Sequence, residues 1–579
     1  MHKPFLFFIS LLLSFQIFSQ APKETTLFTP KNYPKGYFVY PIEARVSLSG
    51  NYGELRTNHF HMGLDMRSDQ VENRRVIAAA DGYISRISIG AFGFGRAIYI
   101  NHPNGLTTLY GHLNDFYPAL EKYVKDQQYT QETWAISFDL TPDLFQVKKG
   151  QFIAYSGNTG GSAGPHLHFE IRKTINDKVL NPLLFGLLIQ DNIPPTISRL
   201  YMYDRCFSTY SKAPIHLPIK QTGANYTTVQ NVITVNTDKI SFGISANDKQ
   251  GGSNFNNGIY ESIIYFNGLP LTGFQMDSVD YNETRYLNAH IDYKTRAGGG
   301  PYIQHLSRLP GYPEGVYRDF NSDGVIELDD DSVHEVRIVV KDAHGNSTSL
   351  NFKIKKGLIT ETGNPNKSEL FYNAREFHPG YVNVFENEEL HVYLTPEALY
   401  DSIAFIPTQK ASTDPNSYSN IHTVFSGLIP VQDAFTIKIK PTKFISDSLK
   451  DKVLIKRTWN GKTEVSQATK EGEWYTSSFR TFGDFELIVD NEAPVIGGFA
   501  NGANLSQSRS IIFTPRDNNN SIRKFRAEVN GQWLRFTNDK GRNFIYTFDE
   551  MIPKGKHTMR VIVEDLAGNV AERVIEFTR

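Results

Sequence analysis

Cysteine is nearly absent from this sequence, which has Cys206 alone among its 579 residues. One cysteine excludes an intrachain disulfide, so packing or bound metal must hold the folded chain together. The position of Cys206, far from the N-terminus, also excludes a lipid-modified N-terminal cysteine. Net charge is scarce too, at −1. Because the chain has no basic excess to attract nucleic acid, we expect no nucleic-acid partner.

Long hydrophobic runs are confined to the N-terminus, where the mostly apolar residues 5–18 follow His2 and Lys3. A basic start, an apolar stretch and the small Ser19 are typical of a secretory signal peptide, which we predict over residues 1–20. The apolar run is short for a membrane span, although a retained N-terminal anchor is the alternative. We therefore expect an exported protein, periplasmic or extracellular, with no transmembrane segment in the mature chain.

Aromatic residues make up 13 % of the chain, which also has 44 glycines. Aromatic side chains favour β-strands and glycines supply turns, so we predict a mainly β fold class. The length exceeds what one hydrophobic core can organise and predicts about three to five domains.

Residues 21–190 are predicted to form the first domain, because strand-like segments alternate there with turns such as Asn104-Gly105. This spacing favours an antiparallel sheet or barrel. The predicted strands are residues 36–40, 75–79, 82–87, 97–100, 107–110, 152–155 and 166–171. A helix is predicted over residues 118–125, where Pro118 suits a first helical turn and apolar residues recur every three to four positions.

An internal repeat organises the remainder. The segment DNIPPTI at 191–197 recurs as DNEAPVI at 490–496, and VRIVVKDAHGN at 336–346 recurs as MRVIVEDLAGN at 559–569. Each pair brackets strand-like segments and a closing D-x-x-G-N hairpin, which fits a β-sandwich. The pattern resembles bacterial immunoglobulin-like modules, so we predict two of them at 191–357 and 490–579. Residues 358–489 are predicted to form another β-domain of uncertain type.

Histidines in the first domain follow a pattern that suits metal chemistry. His166 and His168 lie in a strand-like segment, where residues two apart project from the same face. His61 and Asp65 form an earlier cluster, with His112 between the two. A catalytic zinc takes three protein ligands from His and Asp or Glu and keeps a fourth position for water.

Several ordered motifs around these residues resemble the lysostaphin/LytM-type zinc endopeptidases of metallopeptidase family 23, which cut peptide bonds in peptidoglycan. They are Asn58-x-x-His61-x-Gly63-x-Asp65 and the segments 76–84 (VIAAADGYI), 110–113 (YGHL), 147–150 (VKKG), 156–160 (SGNTG) and 164–170 (GPHLHFE). The resemblance covers residues 50–172, about a fifth of the chain. It implies an antiparallel β-sheet peptidase domain.

The resemblance assigns a role to each histidine of the motifs. It implies that His61, Asp65 and His168 ligate zinc, and that His112 and His166 are the catalytic pair that acts on the metal-bound water and the charged intermediate. Glu170 is a candidate partner for a ligand imidazole. His59 and His102 fall on no motif position, and we predict that both are structural or exposed rather than catalytic.

The segment between His112 and Val147 is longer than the family usually shows, and we predict an insertion at about 114–146. The insertion either forms a wall of the substrate groove or gates it, or it packs against the domain away from the site.

A second metal is predicted in the following domain. Residues 319–330 place oxygen donors at the spacing of an EF-hand-type calcium loop, with glycine at its sixth position and aspartate at its last. The candidate ligands are Asp319, Asn321, Asp323, Val325 and Asp330. Calcium there is expected to be structural, and the alternative is an acidic surface turn.

The sequence therefore predicts an exported zinc metalloendopeptidase that cuts peptidoglycan cross-links or stems, followed by about three immunoglobulin-like β-domains. One alternative is a non-catalytic wall-binding scaffold, or activator of another wall hydrolase, whose β-modules bind a protein partner. Another is an endopeptidase that acts on a protein. The bond cut is left open between an oligoglycine bridge and a D-alanyl-diaminopimelate cross-link, with a weak preference for the latter.

Overall fold

The structure, a computed structural model, describes residues 27–29, 31–251, 253–357 and 375–579. The predicted signal peptide lies outside these residues. The chain divides into two compact units, residues 1–33 and residues 34–579. The described part of the first unit contains no helix or strand. All elements below belong to the second unit, which we divide into a first region (34–190), a second (191–357), a third (375–489) and a fourth (490–579).

The first region is built from short strands and one long helix. Its strands are β1 (Leu48–Gly50), β2 (Leu55–Arg56), β3 (His59–Phe60), β4 (Leu64–Arg67), β5 (Arg75–Ile77), β6 (Gly82–Ile89), β7 (Arg96–Asn101), β8 (Leu106–Gly111), β9 (Leu113–Phe116), β10 (Ile136–Asp139), β11 (Gln146–Val147), β12 (Phe152–Ser156), β13 (His166–Lys173) and β14 (Val179–Leu180). The α-helix α1 spans Pro118–Thr130, and a 3₁₀ turn spans Pro182–Phe185.

An antiparallel sheet in the order β1-β4-β13-β8-β7-β6-β10 forms the frame of this region. Strand β13 lies in its middle, with Leu167, Phe169 and Ile171 fully buried. The alternate residues His166, His168 and Glu170 share the opposite face, as the two-residue period of a strand requires. In register, His168 pairs with Asp65 on β4 and with Gly111 on β8. The sheet therefore gathers the histidine motifs at one place.

Helix α1 covers the predicted helix and extends it by five residues. Leu120, Val124 and Gln128 lie buried at intervals of four along one face. This face directs the helix toward the protein interior, while Tyr129 packs edge-on against Trp533 of the fourth region, with ring centroids 5.5 Å apart. The helix thus connects the two regions.

The predicted strand at 36–40 is wrong. Residues 35–38 form a turn and a bend, with Gly36 at φ +75°. The backbone N–H of Val39 donates to Ala79, 2.9 Å away, and Phe38 is buried. The aromatic-rich segment is therefore fixed by packing rather than by strand pairing.

The second region forms two sheets, in the orders β16-β15-β19-β23 (with β25 on β19) and β17-β18-β27-β26-β20-β21-β24. Its strands are β15 (Thr196–Asp204), β16 (Ile215–Leu217), β17 (Ile219–Thr222), β18 (Asn225–Val235), β19 (Lys239–Asn247), β20 (Glu261–Phe266), β21 (Leu269–Gln275), β22 (Ser278–Val279), β23 (Gln304–His305), β24 (Tyr317–Asp319), β25 (Ile326–Glu327), β26 (Val333–Lys341) and β27 (Ser347–Lys356). A 3₁₀ turn (Thr284–Tyr286) and helices α2 (Leu287–His290) and α3 (Tyr293–Ala297) lie between β22 and β23. Strand β22 pairs with β14, which joins this region to the first sheet.

The third region contains two five-stranded sheets, β29-β30-β34-β38-β37 and β32-β33-β39-β35-β36, and the pair β28-β31. Its strands are β28 (Arg375–Phe377), β29 (Asn383–Glu386), β30 (Leu390–Leu394), β31 (Ile403–Phe405), β32 (Thr408–Lys410), β33 (Ile421–Val424), β34 (Pro430–Ile439), β35 (Val453–Trp459), β36 (Lys462–Gln467), β37 (Thr469–Glu471), β38 (Trp474–Thr481) and β39 (Gly483–Val489), with a 3₁₀ turn at Lys450–Lys452. One hydrophobic cluster holds side chains from both large sheets, such as Val392 and Leu487. The region is therefore a two-layer β-structure around a shared core.

The fourth region repeats this construction on a smaller scale, with sheets β40-β42-β45 and β41-β47-β46-β43-β44. Its strands are β40 (Val495–Gly497), β41 (Ala503–Asn504), β42 (Ser510–Arg516), β43 (Ile522–Val529), β44 (Gln532–Trp533), β45 (Phe544–Thr547), β46 (Lys556–Asp565) and β47 (Val570–Thr578), with a 3₁₀ turn at Asp539–Gly541. Phe513 and Val561 place both sheets on one core. As the repeat predicts, the D-x-x-G-N turns close antiparallel hairpins, β26–β27 and β46–β47.

The mainly β fold class is confirmed. The immunoglobulin-like type of the second and fourth regions stays a prediction. Within the described ranges, no helix has the length and apolar character needed to cross a bilayer.

Candidate metal centre

His61, Asp65 and His168 meet at the end of the central sheet. His61 directly follows β3, Asp65 lies on β4, and His168 lies opposite it on β13. Asp65 Oδ1 is 3.0 Å from His61 Nε2 and 3.0 Å from His168 Nδ1, and the two nitrogens are 3.1 Å apart. All three residues are buried. The structure therefore brings together the three predicted ligands, which are far apart in sequence.

The donor set fits a zinc ion. Tetrahedral zinc with bonds of about 2.0–2.2 Å separates its ligand atoms by about 3.3 Å, close to the distances seen here. The remaining ring nitrogens point away to acceptors, since His61 Nδ1 donates to the Asn51 carbonyl at 2.7 Å and His168 Nε2 donates to Glu170 at 2.9 Å. These bonds fix each ring so that its other nitrogen faces the centre.

Burial and charge give the two ligand imidazoles different pKa values. Burial lowers the pKa of His61 to about 4. Burial also opposes charge on His168, but hydrogen bonds to Asp65 and Glu170 outweigh it and raise its pKa to about 9. The pKa of Asp65 lies well below its usual range, because the adjoining histidines outweigh the opposing effect of burial. His168 is therefore protonated on both ring nitrogens near pH 7, and a bound cation would replace the proton that faces Asp65.

His112 and His166 stand beside the three ligands, with ring centroids 4.7 Å apart. His112 Nδ1 donates to the Thr159 carbonyl at 2.8 Å, which leaves Nε2 as the acceptor nitrogen. Burial, reinforced by His168 and His166, lowers the pKa of His112 to about 3, so this ring is neutral near pH 7. The residue has φ +60°, an uncommon conformation for a side chain with a Cβ.

His166 has one ring nitrogen held and one unpartnered. Its Nδ1 is 2.8 Å from the Gly164 carbonyl. Its Nε2 is buried without a hydrogen-bond partner, 3.2 Å from Asp65 Oδ1 but not aligned to bond with it. A buried unpaired nitrogen facing the cluster is suited to a water or a substrate group. The structure therefore gathers all five predicted site residues.

Glu170 continues the same face of β13 and links the centre to the second region. Its carboxylate accepts from His168, from Arg172 Nε at 2.8 Å and from the Tyr281 hydroxyl at 2.5 Å. Glu170 is completely buried, and Arg172 balances its charge. The predicted contact between Glu170 and a ligand imidazole is present, whereas sequence reasoning missed Tyr281, which is more than a hundred residues away.

Arg56 and Glu54 are further site residues that sequence reasoning missed. Arg56 Nη2 donates to the second oxygen of Asp65 at 2.5 Å. Glu54 lies 3.7 Å from Arg56, and burial raises its pKa to about 7, against the opposing influence of Arg56. The alternation of charged residues just before His61 was the available sequence signal for these two residues. The contact between Arg56 and a candidate ligand, however, depends on the fold.

A cleft of about 440 Å³ opens over the centre. Asp65, His112, His166 and Arg56 line it together with Phe255 of the second region and the loop of residues 161–165. The predicted insertion at 114–146 contributes no lining residue. Its helix instead reaches the fourth region, where Arg535 Nη1 donates to Gln128 at 3.3 Å. The packing alternative is the one that the contacts support.

The fourth region also contacts the loop that carries the site. Asp539 accepts from the backbone N–H of Gly160 at 2.7 Å, and Lys540 Nζ donates to the Ser162 carbonyl at 2.6 Å. Thr159, whose carbonyl holds His112, directly precedes Gly160. Residues about 380 positions away thus support one wall of the cleft.

The loop predicted to bind calcium is satisfied by its own protein partners. Arg308 binds Asp319 at 2.5 Å, and Asp330 pairs with His334 at 3.1 Å. Neither carboxylate belongs to a group of residues whose ligand atoms lie together in the described chain. The calcium site of residues 319–330 stays a prediction that these contacts do not support.

His59 and His102 both lie outside the group of five candidate site residues. His102 is buried, with its ring nitrogens 2.8 Å from the Asp81 carbonyl and the Thr108 hydroxyl. His59 is exposed and 2.8 Å from the Thr57 carbonyl. Neither ring faces the cluster of ligands.

Two family models match parts of the chain. Residues 59–131 and 144–182 match that of peptidase family M23, and residues 374–490 match that of the Zu5-like domain. The first match omits residues 132–143, within the predicted insertion. The second covers the domain whose type the sequence left uncertain.

The chain matches relatives over about a quarter of its length. It is 33 % identical over 159 residues to an uncharacterized metalloprotease of Haemophilus influenzae, covering 26 % of this chain and 28 % of the relative. It is 32 % identical over 164 residues to the DD-carboxypeptidase/endopeptidase Mpg of Neisseria meningitidis, covering 28 % and 29 %. The matches thus span less than a third of either relative.

Solved structures match a similar share of the chain. The catalytic domain of lysostaphin from Staphylococcus simulans is 24 % identical, with a TM-score of 0.18, and the match covers 24 % of this chain and 88 % of that one. The catalytic domain of EnpA from Enterococcus faecalis is also 24 % identical, with a TM-score of 0.19 and coverage of 26 % and 94 %.

Proposed function

We propose that this chain, in which residues 59–182 form a domain of peptidase family M23, is a zinc-dependent endopeptidase that hydrolyses peptide bonds in peptidoglycan. One observation carries the proposal. The three candidate ligands and both candidate catalytic histidines are present and lie around one cleft, with His61, Asp65 and His168 within 3.1 Å of one another.

A zinc ion held by these three side chains would polarise a peptide carbonyl and lower the pKa of a bound water to about 7. His112 presents a neutral acceptor nitrogen, since its Nδ1 is occupied by Thr159, and is therefore placed to accept a proton. His166 directs its unpartnered Nε2 into the same space and can donate to a developing negative charge when protonated. Roles divided in this way suit hydrolysis by an activated water.

The residues behind the ligands keep the centre rigid. Glu170, held by Arg172 and Tyr281, orients His168, while Arg56 fixes the second oxygen of Asp65. A metal ligand whose other atoms are bonded cannot turn away, so the site is organised before substrate arrives.

The substrate class is proposed from the relatives. The Neisseria relative is named a DD-carboxypeptidase/endopeptidase, and a second relative, 30 % identical over 146 residues, is the cell division protein DipM of Caulobacter vibrioides. Both names suit work on the cell wall, which lies outside the inner membrane. We therefore propose that the protein is exported and cuts a D-alanyl-diaminopimelate cross-link. The β-regions are proposed to carry any contact with a protein partner.

The test is digestion of purified sacculi by the full chain loaded with zinc, with products identified by mass spectrometry. Sacculi with direct diaminopimelate cross-links, sacculi with oligoglycine bridges and a glycine-rich protein are assayed side by side. We expect new peptide ends from the first substrate only, and none after metal is removed by a chelator. Bound zinc without turnover on any of the three would contradict the proposal and favour a wall-binding scaffold.

A further inference from the structure

Three aspartates of the second region converge at a site away from the cleft. Asp191 precedes β15, Asp248 directly follows β19, and Asp342 directly follows β26. One carboxylate oxygen from each lies within 4.8 Å of the others. Asp248 and Asp342 are 2 % and 3 % exposed, and the side chain of Asp191 is not exposed at all.

Two of these buried carboxylates have an oxygen without a partner. Asp248 Oδ1 and Asp191 Oδ2 make no hydrogen bond. The nearest basic ring, that of His344, stays 3.9 Å from Asp191 Oδ2. Asp342 differs, because its oxygens accept from backbone N–H groups and from Asn346 Nδ2. Burying a charge without a counter-charge or donor is costly, so the unpartnered oxygens point to a ligand.

The internal repeat supplies a comparison within the same chain. Asp490, Asp517 and Asp565 form an equivalent group in the fourth region. There the amides of Asn518 and Asn519 donate to both oxygens of Asp490, at 3.1 and 2.9 Å. The second region has Lys249, whose side chain is exposed, and Gln250 after Asp248 instead. The first group therefore lacks amide donors like those that satisfy Asp490, although in the second group Asp517 Oδ1 also remains without a partner.

We propose that Asp191, Asp248 and Asp342 bind a calcium ion. The group offers oxygen atoms only, which hard cations prefer, and no nitrogen or sulfur suited to zinc. Calcium–oxygen bonds of about 2.3–2.6 Å place opposite ligands up to about 5 Å apart, which matches the observed spacing. Three carboxylates supply the charge, and backbone oxygens or waters complete the coordination.

The chain that leaves this site reaches the zinc cleft. Asp248 and Asn257 exchange two backbone hydrogen bonds, at 2.9 and 2.8 Å, and so close the base of a loop. Phe255 on that loop lines the cleft. Gly258, which directly follows Asn257, exchanges two hydrogen bonds of 2.8 Å with the Asn51 side chain. The Asn51 carbonyl in turn accepts a hydrogen bond from His61.

Calcium would therefore order one wall of the cleft and the support of one zinc ligand. This consequence rests on the proposed peptidase function, whereas calcium binding itself does not.

The binding test is calorimetric titration of calcium chloride into the full chain, loaded with zinc and freed of other divalent ions. We expect one site, with a dissociation constant of about 10⁻⁴–10⁻³ M, the range of extracellular calcium modules. Asp248→Asn should weaken it at least tenfold, and the matched change Asp517→Asn in the fourth region should leave it unchanged. No calcium binding by the native chain, or equal binding by the Asp248 variant, overturns the proposal.

Thermal unfolding separates lost ligation from lost folding. Without calcium, Asp248→Asn should unfold at the native temperature or above, because the change removes repulsion among carboxylates. Calcium should raise the unfolding temperature of the native chain but not of the variant. A calcium-induced rise retained by Asp248→Asn contradicts the site. If the chain binds calcium at this site but cleaves no sacculi, the calcium proposal is supported and only the peptidase proposal is refuted.

Discussion

Among single residues, the two histidines of strand β13 are only two positions apart but have different surroundings. His168 has both nitrogens engaged, with Asp65 and with Glu170, at the centre of the ligand cluster. His166 keeps one nitrogen unpartnered at the cleft. We expect His168→Ala to abolish zinc binding, and His166→Ala to keep zinc but lower turnover at least a hundredfold. Metal content by mass spectrometry, measured beside sacculus cleavage, distinguishes the two losses.

His59→Ala serves as the control for both variants, because His59 is exposed and lies outside the cluster. It should keep zinc and turnover within about twofold of the native chain. Full activity of the His168 variant would remove that residue from the ligand set, and zinc loss by the His166 variant would make His166 a ligand.

Arg56 permits a second residue-level prediction. Its bond to Asp65 holds the ligand carboxylate in place, so Arg56→Gln should lower zinc affinity about 10–100-fold, the usual effect of losing an outer partner. Competition with a chromogenic chelator measures the affinity. Arg74→Gln, which affects an exposed pair with Asp69, is the matched control. An unchanged affinity for Arg56→Gln would show that the carboxylate is oriented by the histidines alone.

The sequence could predict that the five central residues come together, because their motifs are local and ordered. It could not predict Arg56 or Tyr281, whose importance depends on contacts made only in the fold. The calcium loop, which stays a prediction, shows what local spacing leaves out. The spacing of Asp319 and its neighbours is right for a cation, but Arg308 already neutralises that carboxylate. The spacing of residues along the sequence does not show which distant side chains contact them in the fold.

At the level of elements, helix α1 is attached through one buried ion pair. Arg96 on β7 binds Glu121 at 2.5 Å, and both side chains are mostly buried. Removing one partner leaves a buried charge unpaired, which costs about 3–5 kcal/mol. We expect Glu121→Ala to increase hydrogen exchange in residues 116–130, since that segment would open locally.

Lys122→Ala is the control for this change, because its ion pair with Asp126 is solvent-exposed and contributes about 0–1 kcal/mol. Zinc content should stay native in both variants, since α1 does not line the cleft. Loss of zinc in the Glu121 variant would contradict a packing role for the insertion. It would support the alternative that the insertion walls or gates the substrate groove.

Element prediction succeeded where the sequence period was strong. The alternation along β13 and the four-residue spacing of Leu120 and Val124 were sufficient to predict a strand and a helix. The strand predicted at 36–40 was wrong because aromatic content alone indicated it, while Gly36 lies in a turn there. The internal repeat gave two of the three aspartates in each carboxylate group. The third was not recognisable, because Asp248 and Asp517 lie in segments without a shared motif.

In the molecule as a whole, side chains from the second and fourth regions contact the candidate metal centre, its cleft or the loop beside it. Tyr281 and Phe255 come from the second region, and Lys540 comes from the fourth. The family model matches residues 59–131 and 144–182, which include none of these three residues. The second region therefore contributes a lining residue, and the fourth region contacts the loop beside the cleft.

Lys540 gives the test of this view. Its ammonium donates to the Ser162 carbonyl and to Asn158, on either side of the Thr159 carbonyl that positions His112. Lys540→Ala should loosen that loop and lower kcat about tenfold, because small displacements of catalytic groups are expensive. Zinc content should stay native. Lys524→Ala, an exposed change in the same region, should leave kcat unaltered. Equal kcat values for the two variants would mean that the loop carrying Thr159 is positioned without the contacts from the fourth region.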